Sequence, residues 1–136
     1  MKRHILIIIF LLLGVCSQAQ LTKQKEVYYQ ILFAKEINGK REVVLPDLAR
    51  VDIVTDTFAI EVEFADNFYE GIGQSELYSI ELNKKAGILL VVNGNTEDRF
   101  IKKLLTVAAK KDITVWLLDY NTNLWRRVKI NYVFTY

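Results

Sequence analysis

The chain has 136 residues, 51% of them hydrophobic and 25% charged, with a formal net charge of +2. That length suits one domain, and the composition excludes a disordered or collagen-like chain. The charge is unevenly placed, because Lys2-Arg3 precede an unbroken apolar run from Ile5 to Leu13 and then Gly14-Val15-Cys16-Ser17-Gln18-Ala19. A basic start, a short apolar stretch and a small-x-small site predict a secretory signal peptide over residues 1–19, with a mature domain over residues 20–136. The run is shorter than the roughly 20 residues a bilayer span needs. Retention as a signal-anchor is a rival reading. So is lipidation at Cys16, although Val15 is large for the position before such a cysteine.

Cleavage after Ala19 removes Lys2 and Arg3 and brings the acid–base balance to zero. It also removes His4 and Cys16, the sole histidine and cysteine. Ser-His-Asp and Cys-His catalysis, Cys/His zinc sites, thioredoxin chemistry and disulfides are thereby excluded from the mature domain. A metal bound there must be a hard cation on oxygen ligands.

Thr22 to Ile37 is predicted as a helix with Val27, Ile31 and Ala34 facing inward, Thr22 as N-cap and Asn38-Gly39 as stop signal. Three strands are expected next, over Glu42–Leu45, Arg50–Thr55 and Phe58–Ala65, parted by Pro46-Asp47 and Thr55-Asp56-Thr57. The third alternates, with Phe58, Ile60, Val62 and Phe64 on one side and Ala59, Glu61, Glu63 and Ala65 on the other. A helix over Asn67–Leu82 opens on a possible Asn67/Glu70 capping box. Ala86–Val92 is continuously apolar, as a buried strand requires. Asn93-Gly94-Asn95-Thr96 turns into a helix over Glu97–Lys111, with Ile101, Leu104, Leu105 and Ala108 inward and Lys102, Lys103, Lys110 and Lys111 outward. Ile113–Leu118 is a second buried strand, and Ile130, Tyr132, Phe134 and Tyr136 alternate along a hairpin-like arm. The fold class expected is α/β: a mixed sheet of an antiparallel meander followed by parallel strand-helix-strand units, with helices on both faces.

A turn at Asp56-Thr57 places Asp52 opposite Glu61, about 5 Å apart, with Glu63 about 7 Å along the same face. Like charges so placed repel, and either a raised pKa or a bound Mg²⁺ relieves them. Acids on a solvated sheet face are the plainer alternative.

Arg50-Val51-Asp52, Glu61-Val62-Glu63 and Gln74-Ser75-Glu76-Leu77-Tyr78 together resemble the PD-(D/E)XK nuclease superfamily, in its RecB-like branch with a Q-x-x-x-Y motif. Phe64-Ala65, Gly71-Ile72-Gly73-Gln74 and Gly87–Val92 look like small bacterial members of that group, and the likeness covers about Glu42 to Val92. The resemblance implies a restriction-endonuclease-like fold. It implies Asp52 and Glu61 as metal-binding acids, the Val62 carbonyl as a further ligand, and Gln74 and Tyr78 facing the site. The implied cofactor is Mg²⁺ or Mn²⁺, and the implied partner DNA or RNA. Pro46-Asp47 is a literal Pro-Asp, but its turn position favours Asp52. Glu63 departs from the pattern, standing where the family has a lysine. It implies a third metal ligand, a base, or a site that has lost hydrolysis, with Arg50, Lys40, Lys84 or Lys85 as candidate replacement cations.

Two readings follow. One is an exported, metal-dependent nuclease-like hydrolase, periplasmic or secreted. The other is a degenerate nuclease-fold module that binds a partner through exposed aromatics such as Trp125, Tyr132 and Tyr136. No nucleotide cofactor is expected, because there is no P-loop and Gly71-Ile72-Gly73 falls within a helix. No membrane span is expected after the leader is removed.

Overall fold

The computed structural model describes residues 24–94 and 96–130. The leader, its alternatives at Cys16, the Thr22 cap and the Tyr132, Phe134 and Tyr136 positions lie outside the described residues. The protein is α/β, with three helices and one open, mixed, six-stranded sheet. Helix α1 spans Glu26–Glu36, α2 Phe68–Leu82 and α3 Asp98–Lys111. The strands are β1 Lys40–Val44, β2 Arg50–Val54, β3 Phe58–Phe64, β4 Lys85–Val92, β5 Thr114–Asp119 and β6 Leu124–Arg127.

The strands lie side by side in chain order. The β1–β2, β2–β3 and β5–β6 pairs are antiparallel, and β3–β4 and β4–β5 are parallel. Two crossovers of one hand advancing in one direction put α2 and α3 on the same face, and α1 covers the other. Strand β4 shows why the sheet is buried on both sides. Its Leu89 and Val91 join Tyr29, Phe33 and Ala34 of α1, while Ile88, Leu90 and Val92 join Leu104 and Ala108 of α3. No helix among the described residues is long and apolar enough to cross a membrane.

Helix α1 presents a different stripe from the expected one. Val27 and Ile31 are exposed, and Tyr29, Gln30, Phe33 and Ala34 are buried. Two stripes compete on this helix, and the aromatic one removes more apolar area from water. Phe33 stacks edge-on against Trp116 at 5.5 Å and against Trp125 at 5.1 Å. At the start of α2, Asn67 makes no side-chain cap, so the expected capping box is absent. A short 3₁₀ turn over Ala65–Asn67 leads into the helix instead.

Gly87 marks the tightest approach in the sheet. A Cβ there would lie 2.8 Å from Trp116 Cζ3 and 3.0 Å from Ile60 Cγ1. Both neighbours are buried and cannot yield. Gly87→Ala is therefore expected to cost about 1–3 kcal/mol by overpacking, measurable as a lower urea midpoint at unchanged m-value.

Candidate functional site

The site grows out of a break in the β-ladder. Strands β2 and β3 pair through Val54↔Ala59 and Ile53↔Ile60. The next rung, Asp52 against Glu61, is made by side chains. Asp52 Oδ2 accepts the Val62 N–H at 2.9 Å, and Glu61 Oε1 accepts the Asp52 N–H at 3.3 Å. Each carboxylate takes up a backbone donor that the missing ladder bonds would leave unpaired.

The ladder also skips Asp52 on its other side. Arg41↔Ile53 and Val43↔Val51 are paired, and Glu42 between them takes a left-handed φ of 54°. A non-glycine residue pays steric energy for that conformation. Strand β2 turns over here, since Ile53 packs under α1 while Val51 packs with Leu45, Ala59 and Tyr78 beneath α2. In a regular strand those two residues would share a face. The turnover aims the Asp52 side chain sideways, into the gap beside β3. A strand residue's N–H and C=O point to the same side, so the Val62 carbonyl faces that gap as well.

Glu61 is 4% exposed and Glu63 7%, which is rare for glutamates. Burial raises the Glu61 carboxyl to about 9, reinforced by the Asp52 charge. Burial likewise raises Asp52 to about 6, with the Val62 N–H pulling the other way. The Glu42 and Glu26 charges add to that rise, and Arg41 opposes it. Glu63 reaches about 8, by burial first and then by Glu26, Glu70, Asp52 and Asp66. Glu26, on the first turn of α1, therefore acts on both Asp52 and Glu63.

The three-carboxylate patch expected from strand alternation needs correction. Among the described residues, no group of three or more His, Cys, Asp or Glu side chains draws together closely enough to hold a metal ion. Asp52 and Glu61 meet, but Glu63 belongs to a neighbouring niche under α2. A Cβ on Gly71 would come within 2.9 Å of Glu63 Cγ. The glycine thus opens the space that the Glu63 stem fills.

Tyr78 is buried against Leu45, Val51 and Ala59, and its hydroxyl pKa is raised by burial and then by the charges of Glu61, Asp47 and Asp52. Gln74 is exposed, contrary to the inward position expected of it. The helix face against the sheet runs through Gly71, Ser75 and Tyr78, whose small members let α2 sit close. Gln74 falls at its margin. Asp47 serves its own turn, accepting the Ala49 N–H at 2.9 Å.

The replacement cations are engaged elsewhere or point away. Arg50 pairs with Glu42 at 2.9 Å on the surface, and Lys84 Nζ donates to the Asp56 carbonyl at 3.0 Å. Lys85 pairs with Phe58 and Lys40 with Val54, toward the opposite end of β3 from Glu63. Lys102, Lys103, Lys110 and Lys111 line the exposed side of α3, with Lys111 bound to Glu76 at 3.3 Å. Sequence reasoning missed Glu26 and Arg41, which reach the site from other elements and carry no spacing signal.

No family model, curated protein or solved structure matches the chain. The class rests on its own architecture: an α/β protein with an acid pair, Glu61 buried and Asp52 half-buried, set into a broken sheet rung.

In the metal-free protein, Glu61 and Glu63 bind protons more tightly folded than unfolded, where their pKa is about 4.5. Stability should therefore fall as pH rises from about 4.5 and level off near 9. Glu61→Gln keeps the acceptor for the Asp52 N–H and removes the charge. It should flatten this slope and raise the Tm at pH 8 by about 5 °C or more, as read by thermal scans in EDTA.

Proposed function

We propose that the protein is a metal-dependent phosphodiesterase of the PD-(D/E)XK type, acting on nucleic acid after export. The observation that carries this reading is the Asp52–Glu61 pair: two carboxylates and the Val62 carbonyl around one gap, held by backbone donors. The element order, a helix, three strands in a meander, then helix-strand-helix-strand, supports the restriction-endonuclease-like assignment. The leader pattern of residues 1–19 supports action outside the cytoplasm.

The donor set is all hard oxygen, and two carboxylates suit Mg²⁺ or Mn²⁺, which keeps several waters for substrate to replace. Asp52, Glu61 and the Val62 carbonyl would hold the ion. When bound, it lowers the pKa of a coordinated water and neutralises charge on the phosphate. Glu63 is the next acid along the same strand edge, outside the ligand pair. The attacking water would lose its proton to solvent as its oxygen bonds to phosphorus, while the ester P–O bond breaks and the leaving oxygen gains a proton from solvent. Tyr78 positions the acid pair from α2.

One observation favours a second reading. Glu63 stands at the lysine position and, among the described residues, no third carboxylate joins the pair, as in a module that has kept the scaffold for binding and lost hydrolysis.

Cleavage of single-stranded DNA, plasmid and RNA by the purified protein in Mg²⁺ or Mn²⁺ decides between the two. The enzyme reading expects cleavage that falls about 100-fold or more in Asp52→Ala and Glu61→Ala, with a Mn²⁺-dependent rise in Tm that both variants lose. Absence of both cleavage and a metal-induced Tm shift would end it. Activity gained only in Glu63→Lys identifies the degenerate module.

A further inference from the structure

We propose that the protein pairs with a second copy of itself through the outer face of α2, with Gly73 at the closest approach; this goes beyond the nuclease reading and does not depend on it. Helix α2 carries two mid-helix glycines, and each weakens the helix relative to alanine. Gly71 faces inward, where the Glu63 stem takes the space. Gly73 is exposed, and a Cβ built there would meet nothing within 4 Å. Its backbone is helical, so no turn requires a glycine either. Among the described residues, nothing in the chain uses its missing side chain. At 3.6 residues per turn, Tyr69, Gly73, Leu77 and Ile80 fall within about a quarter-turn of one another. Tyr69 is 58% exposed, Leu77 50% and Ile80 78%. The glycine is thus a notch in an apolar ridge, the shape that lets two helix backbones come close.

The charges beside the ridge select a copy of the same chain as its occupant. Glu70, Gln74 and Glu81 border it on one side, and all three are exposed. On the other side α2 meets α3, through Phe68 against Phe100 and through Glu76 bound to Lys111 at 3.3 Å. Lys103, one turn from Phe100, and Lys110, beside Lys111, stand exposed next to that seam. Among the described residues, Glu70, Glu81, Lys103 and Lys110 have no ion-pair partner. A two-fold axis parallel to α2 sets two ridges face to face, notch against notch, with both helices running the same way. That operation carries the acidic border of each copy over the lysine border of the other. An antiparallel pairing would set acid against acid, so the charges favour parallel helices. A single helix pair falls below the about 1,600 Å² of a standard interface, so a dissociation constant on the order of 10–100 µM is expected.

Sedimentation equilibrium and thermal scans of the purified protein over about 5–500 µM test this pairing. The wild type should pass from monomer to dimer mass, and its Tm should rise with concentration. Gly73→Gln fills open space in the monomer and improves helix propensity, so its Tm at the lowest concentration should equal or exceed that of the wild type. In the dimer the same side chain blocks the approach, and the dissociation constant should rise about 10-fold or more. Opposite signs in these two readings separate an interface from a folding role. Leu77→Ala, which removes an exposed side chain, should also weaken association and leave the dilute Tm unchanged. Glu70→Lys with Glu81→Lys should weaken the dimer about 10-fold, and adding Lys103→Glu with Lys110→Glu should restore it. Tighter association in the first of these charge variants signals acid against acid and overturns the parallel pairing. A wild type that stays monomeric at the highest concentration overturns the proposal. So does a dimer that Gly73→Gln leaves intact, since its contact then lies on another face. Cleavage in Mg²⁺ or Mn²⁺ enters neither reading, so this proposal and the nuclease reading stand or fall separately.

Discussion

A half-buried aspartate and a buried glutamate standing in for a rung of backbone hydrogen bonds are the constraint on which the rest of this structure depends. A ladder rung is neutral and self-satisfied, whereas the Asp52–Glu61 exchange satisfies the backbone donors at the cost of setting two acids side by side, which pushes the Glu61 carboxyl up to about 9. That cost has to be met elsewhere in the fold. The β3–β4–β5 segment meets it, with two parallel ladders in full register and apolar packing on both faces. The strain at Glu42 lies on the other side of the same rung, so the distortion is confined to the β1–β2–β3 corner.

Much of this was readable from the residues in order. The alternation of β3, the apolar run of β4 and the charged outer face of α3 each state a periodicity, and a periodicity follows directly from strand or helix geometry. The opposition of Asp52 and Glu61 followed from one turn position. Its replacement of a ladder rung did not, because an exchange between side chains and backbone leaves no pattern in the chain. Helix α1 carried two overlapping stripes, and only the aromatic partners Trp116 and Trp125, about 80 to 90 residues away, select between them. Gln74 shows the opposite limit. A spacing of four put it near the Tyr78 face, but the close packing allowed by Gly71 and Ser75 centres the contact away from it.

Glu26 and Arg41 show how a site acquires members that no motif names. Each is a charged residue at an ordinary position on its own element. They become significant only because α1 and β1 converge on the corner where the ladder opens. Glu63, set apart under Gly71, shows that neighbours in sequence can end in different niches when the strand edge is uncovered by its partner.

The sequential order of the strands has a consequence for assembly. Every strand docks onto the one made just before it, so the sheet can be laid down as the chain emerges, from ribosome or translocation pore, without threading or waiting for a distant segment. The acid corner is the exception to this easy growth. Its strands are released early, yet the apolar layers that desolvate its acids come from α2, β4 and β5. The corner should thus remain an open hairpin, its acids hydrated, until the later half closes over it, so that the acid pair takes on its raised pKa values only when the whole sheet is complete.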